Sequence, residues 1–129
     1  ALAALGVSQP LFKPDIIHCH DWQKGMVPVD RHDQQWSNPE FHGTRMVFTI
    51  HNLGYHGRFS KDVFGDLGLN AGWMSPDKLE YYGDISYLKG GIVMSDWVTT
   101  VSPTYALDIL TPEGGYGFDG IMRSVSGRL

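Results

Sequence analysis

Three short apolar runs, each ending in a polar tip and separated by stretches of helical period, limit this chain to few folds. They lie at 15–20 (DIIHCH), 45–50 (RMVFTI) and 96–101 (DWVTTV). Their β-branched, near-continuous apolar character predicts strands covered on both faces. Segments with helical character lie between and after them. Residues 23–32 follow Asp21 as N-cap, and 77–82 follow Ser75-Pro76. Residues 85–95 carry Ile85, Leu88, Ile92 and Val93 at helical offsets, and Ser102-Pro103 opens 104–110. Pro at a first helical position loses no hydrogen bond there. The alternation predicts an α/β domain, a Rossmann-like parallel sheet with flanking helices joined by right-handed crossovers.

At 129 residues the chain holds one such domain at most. Its formal charge of -4, without a Lys/Arg cluster, argues against nucleic acid and anionic membranes as partners. No apolar run approaches the roughly 20 residues of a spanning helix, and the first residues lack the basic flank of a signal peptide. A single cysteine forms no internal disulfide and points to the cytosol. The chain opens at Ala1 inside a helical pattern and stops at Leu129, which reads as a piece of something longer.

In open parallel sheets, ligands bind beyond the carboxyl ends of the strands. Those positions read His20-Asp21-Trp22, His51-Asn52-Leu53-Gly54-Tyr55 and Ser102-Pro103-Thr104-Tyr105. Two imidazoles, a carboxylate, an amide, hydroxyls and aromatic faces, with little positive charge, suit a neutral polyhydroxylated ligand such as a sugar. The glycine-rich connection at 111–117 lacks the Gly-Lys-Ser/Thr ending of a phosphate cradle.

Five segments carry a resemblance that spans nearly the whole chain from about Pro14: His18-Cys19-His20-Asp21-Trp22, Thr49 through Gly57, Tyr87-Leu88-Lys89-Gly90-Gly91-Ile92, Thr99 through Ala106, and Thr111 through Gly120. In this order and spacing they resemble the bacterial glycogen synthases and plant starch synthases. The resemblance implies a retaining glycosyltransferase with two Rossmann-like domains (GT-B). Such an enzyme transfers glucose from ADP-glucose to the non-reducing end of an α-1,4-glucan and needs no further cofactor. Residues 1–129 then correspond to part of the N-terminal catalytic domain. The Lys-Thr-Gly-Gly-Leu donor loop of the family does not occur in the sequence, nor does the C-terminal nucleotide-binding domain. The chain alone is therefore expected to be marginally stable and inactive, and to require both missing parts. The family's setting is the bacterial cytoplasm or, in plants, the plastid stroma.

Carried over by position, His51 and Asp21 match catalytic residues. His20, Trp22, Asn52, Tyr55, Ser102 and Tyr105 match substrate-binding neighbours or a supporting turn. Gly54 and His56 depart from the residues close relatives often carry, 31–43 matches no strong pattern, and Phe118-Asp119 varies a position that commonly holds Leu.

Other readings stand beside these. His18 and His20 flank Cys19 but lack the third and fourth ligands that tetrahedral zinc needs, so no metal site is expected. His18 reads as a hydrogen-bonded core residue, His20 as either packing or site, and Cys19 as an inert buried thiol. Asp21 fits an N-cap as well as a site role, and Lys89 fits a phosphate contact or a packing residue. Two competing functions remain: another two-domain retaining glycosyltransferase of the sucrose or trehalose synthase type, and a non-catalytic glucan- or nucleotide-sugar-binding remnant.

Overall fold

A computed structural model describes residues 13–34, 39 and 42–129. The helical pattern at Ala1 and most of the connection after residue 34 lie outside the described residues. Strands β1 (Ile16–His20), β2 (Arg45–Ile50) and β6 (Trp97–Thr100) form a parallel sheet in the order β1-β2-β6, with Ile16 opposite Arg45 and Val47 opposite Trp97. A short 3-10 turn (Trp22–Lys24) and helix α1 (Met26–Gln34) connect the first two strands. Helix α2 (Tyr87–Met94) leads into the third. The expected single helix over 23–32 is interrupted at Gly25, where a Cβ would stand 1.9 Å from the Tyr87 carbonyl oxygen. The beginnings of the α1 and α2 segments cross that closely only because no side chain intervenes.

Both crossovers step the same way across the sheet, so their common handedness puts both helices on one face. That face holds the core: Cys19, Met46, Phe48, Ile50 and Val98 pack with Val27, Leu88 and Ile92. Gly91 lets α2 lie directly on the Phe48 ring, since a Cβ there would fall 2.3 Å from it. The opposite face is open among the described residues, with Ile16, Trp97 and Val101 each more than half exposed. Within the described residues β1 and β6 alternate between inward and outward side chains. His18 also lies on this open face rather than in the core, with its Nε2 2.6 Å from Thr49 Oγ1, which in turn sits 2.6 Å from Thr99 Oγ1.

The long excursion after β2 builds a second, antiparallel sheet from β3 (Arg58–Phe59), β4 (Glu80–Tyr81) and β5 (Asp84–Ser86). It packs over Met26, Val29, Trp73, Leu79 and Ile85. The helix expected over 77–82 is absent. Residues there make a turn and then β4, because Tyr82 (φ 50°) and Gly83 (φ 82°) form a two-residue hairpin loop with both central residues left-handed. Ser86 then caps α2, its hydroxyl accepting from the Lys89 N–H at 3.2 Å. After β6 the chain continues as α3 (Pro103–Asp108), α4 (Pro112–Gly115) and α5 (Asp119–Ser124), with Phe118 and Met122 reaching the main core.

Candidate active site

Parallel order brings the three strand tips side by side, so the sheet itself assembles the site. At the end of β1, Asp21 turns sharply, with φ 53° and ψ 178°, a conformation that strains any residue but glycine. Its side chain does not cap the following turn. Instead Oδ1 accepts the His51 N–H at 2.8 Å and the Asn52 N–H at 3.4 Å, while the Asp21 N–H donates to the Thr49 carbonyl at 3.0 Å. One carboxylate oxygen therefore ties the tip of β1 to the tip of β2. No hydrogen bond reaches Oδ2 among the described residues.

His51 is exposed, and its Nε2 lies 3.1 Å from His20 Nδ1. One ring must donate and the other accept, which couples the two tautomers. His20 packs in turn on His18, their centroids 4.3 Å apart. The pKa of His18 is lowered, first by burial and then by the neighbouring imidazoles of His20 and His51. The Asn52 side chain accepts the Gly54 N–H at 2.9 Å, holding the loop in a tight turn. Tyr55 is two-thirds exposed. Asp21, Trp22, Gln23, Asn52 and Tyr55 line one cavity of about 350 Å³, within the size range of small-ligand sites.

Trp22 has a double position. It lines this cavity, and its ring also packs beside Phe59 and over Gly57, where a Cβ would stand 2.6 Å away. Ser102 and Tyr105 serve the scaffold: the Ser102 hydroxyl accepts the Tyr105 N–H at 3.1 Å, and the Tyr105 hydroxyl accepts the Leu53 N–H at 2.9 Å. Tyr105 thereby anchors the β2 loop to α3, the part of the third tip that faces the other two.

Cys19 is buried and its pKa is pushed up to about 11 by that burial, so the thiol is unreactive at neutral pH. The buried Lys89 ammonium donates to the carbonyls of Pro76 and Glu80, as a packing residue does, and Lys89 also borders a cavity with Glu80 and Tyr81. Among the described residues no group of three His, Cys, Asp or Glu side chains is placed to hold a metal ion. No described helix is long and apolar enough to cross a membrane.

A family model described as the starch synthase catalytic domain matches residues 1–124. The chain belongs to that family. The glycogen synthase of Lachnoclostridium phytofermentans is 55% identical over 116 residues, covering 89% of this chain and 24% of that protein. The glycogen synthase of Myxococcus xanthus is 50% identical over 131 residues, covering 100% of this chain and 27% of that protein. Among solved structures, the catalytic domain of starch synthase IV from Arabidopsis thaliana, bound to ADP and acarbose, superposes with a TM-score of 0.85 at 36% identity, over 98% of this chain and 26% of that one. The chain thus spans about a quarter of the length of the relatives it matches. The α/β fold with its parallel sheet is that of the starch synthase catalytic domain.

Sequence reasoning missed Tyr116, whose ring would stand 3.9 Å from a Cβ placed on Gly54 and which adopts a left-handed φ of 49°. An aromatic residue gives no sign in sequence that it will take a conformation glycine prefers.

Proposed function

We propose that these residues form the acceptor-side wall of a glycogen or starch synthase active site, where glucose passes from ADP-glucose to the non-reducing end of an α-1,4-glucan with retention of configuration. The observation that carries the reading is the Asp21 carboxylate, which fixes the His51 backbone through Oδ1 while Asp21 lines one cavity with Trp22, Asn52 and Tyr55. The ADP and acarbose bound by the starch synthase IV neighbour are consistent with a nucleotide sugar and a glucan as partners.

In this reading the reaction is a same-face displacement in which the leaving phosphate assists the acceptor hydroxyl, and it calls on no resident cofactor. His51 donates a hydrogen bond to the donor glucose and Asp21 accepts from sugar hydroxyls. Tyr55 offers an aromatic face, and the amide nitrogen of Asn52 remains available to donate. The contribution is positioning together with stabilisation of developing oxocarbenium charge, without the paired carboxylates of a glycosidase. Nucleotide contacts and the charges facing the diphosphate come from sequence beyond these 129 residues. The proposed setting is the cytoplasm of a bacterium or the stroma of a plastid.

The test is a graft. The matched 116 residues of the Lachnoclostridium phytofermentans enzyme are replaced by those of this chain, and glucose incorporation into glycogen from ADP-glucose is measured. Transfer within about tenfold of the parent supports the reading. A folded graft that binds glucan but transfers nothing would assign the segment to binding alone.

A further inference from the structure

The loop that carries His51, Asn52 and Tyr55 ends at His56, where it meets three other segments. The His56 carbonyl accepts the Leu88 N–H at 3.1 Å and the Ser86 hydroxyl at 2.8 Å, and the Gly57 carbonyl accepts the Tyr87 N–H at 3.1 Å. These two carbonyls take the first N–H groups of α2, which have no partner inside the helix. The His56 ring lies on Phe118, centroids 4.0 Å apart, and meets Tyr81 edge to face at 5.6 Å. His56 therefore joins the site loop to α2, to β4 and to the turn before α5.

Its Nε2 is buried and has no hydrogen-bond partner among the described residues. This chain's own residues enclose the atom, so its lack of an acceptor does not depend on what covers the outer surface. A neutral ring tolerates that place, whereas an imidazolium would bury a charge with an unpaired N–H. The charged and titratable groups on the surrounding elements are engaged elsewhere. Arg58 on β3 bonds Asp84 at 2.8 Å, the Tyr81 hydroxyl on β4 donates to the Gly117 carbonyl at 3.0 Å, and Asp119 on α5 pairs with Arg123 at 2.6 Å. Lys89 on α2 is spent on the Pro76 and Glu80 carbonyls, and the Tyr105 hydroxyl on α3 holds the Leu53 N–H. Within the loop itself, His51 bonds His20 and Tyr55 is exposed. Burial and then the Arg58 charge lower the His56 pKa below 6.5, against a hydrogen bond from the ring to the Leu53 backbone that raises it.

We propose that His56 is a positioning residue whose neutral ring seats the loop of His51, Asn52 and Tyr55, and whose protonation releases it. The inference rests on the reading of this loop as part of a transferase site and adds to it a seat under proton control. A ring whose pKa is lowered when seated holds the loop fully above 6.5 and loses it as pH falls through that value and below. By pH 5 the ratio of released to seated loop rises by up to about 30-fold.

The grafted enzyme tests it by two readouts taken from pH 8 to pH 5. Hydrogen–deuterium exchange, corrected for the intrinsic effect of pH, is expected to show protection of 51–57 and of the Tyr87 and Leu88 amides falling about tenfold by pH 5 while 45–50 holds. Glucose transfer is expected to fall over the same range. His56→Gln keeps a donor and carries no charge, and His56→Phe keeps a ring; each is expected to flatten the exchange response and to move the acid limb of transfer to lower pH. Protection that does not change with pH, or that falls equally in the graft and both variants, overturns the seat and leaves the transferase reading standing. Transfer with the same pH profile in all three overturns the role of His56 in the reaction. A graft that shows the His56-dependent exchange but transfers nothing at any pH overturns the transferase reading and leaves the seat standing.

Discussion

The carboxylate of Asp21 and the backbone N–H of His51 are joined at 2.8 Å, so the residue matched to a catalytic aspartate also holds the residue matched to a catalytic histidine. The two roles separate by substitution. Asp21→Asn keeps Oδ1 as an acceptor and is expected to leave urea stability within about 0.5 kcal/mol. Asp21→Ala releases two exposed backbone donors to water and is expected to cost about 1 kcal/mol. In the grafted enzyme both variants are expected to lose at least about tenfold in transfer, a loss the Asn variant shows only if the carboxylate charge acts on substrate. Full transfer by the Asn variant would reduce Asp21 to a positioning residue.

His51→Ala in the same graft is expected to lower kcat by about 10²-fold, the scale of losing one positioned donor to the transition state. His20→Ala removes only the ring that orients His51 and is expected to cost about tenfold or less. A drop below threefold for His51→Ala removes that side chain from the chemistry.

The parallel strands and the clustering of their tips were legible because near-continuous apolar runs and strand-end residues follow from local pattern. Which face the two crossover helices take was not, because that depends on the direction of the crossovers, a tertiary property. The hairpin at Tyr82-Gly83 escaped for a different reason. Its first left-handed position carries Tyr in place of Asn, Asp or Gly, and Ser75-Pro76 signals a helix start equally well as a turn. The gathering of His51, Asp21, Asn52 and Tyr55 at the strand tips was legible from their place after strands. The scaffold roles of Ser102 and Tyr105 required coordinates, because their partners Tyr105 and Leu53 are set by how α3 meets the β2 loop.

Two glycines set how closely the helices approach their neighbours. Gly91→Ala would drive a methyl into the Phe48 ring and is expected to destabilise by about 1–3 kcal/mol, since the ring can shift only by disturbing the core. Gly25→Ala meets a backbone carbonyl that cannot rotate away, and is expected to cost about 3 kcal/mol or more. Urea midpoints measured on both variants check the order; a Gly25→Ala variant milder than Gly91→Ala would mean that α1 and α2 separate more easily than their packing implies.

Asp30 is only 5% exposed, and burial, assisted by the charge of Asp33, raises its pKa from 3.8 to about 6. Below pH 3.8 the carboxyl is protonated in both folded and unfolded chains and contributes no penalty. As pH climbs toward 6 the unfolded chain releases the proton first, so folding loses stability across that window and the loss is complete above it. A displacement from 3.8 to about 6 is worth about 3 kcal/mol. His18, His32 and His56 act in the opposite sense. Burial lowers each pKa below its ordinary value, so the unfolded chain takes up protons more readily and stability falls as pH drops through and below 6.5. Asp30→Asn isolates the first effect while leaving the histidines in place. Its stability gain over the parent, measured by urea unfolding at several pH values, is expected to be near zero at pH 3.5, to grow through pH 5 and to be flat above about pH 7. A gain that does not change with pH would show that the amide acts through packing and that the Asp30 carboxyl carries no buried charge.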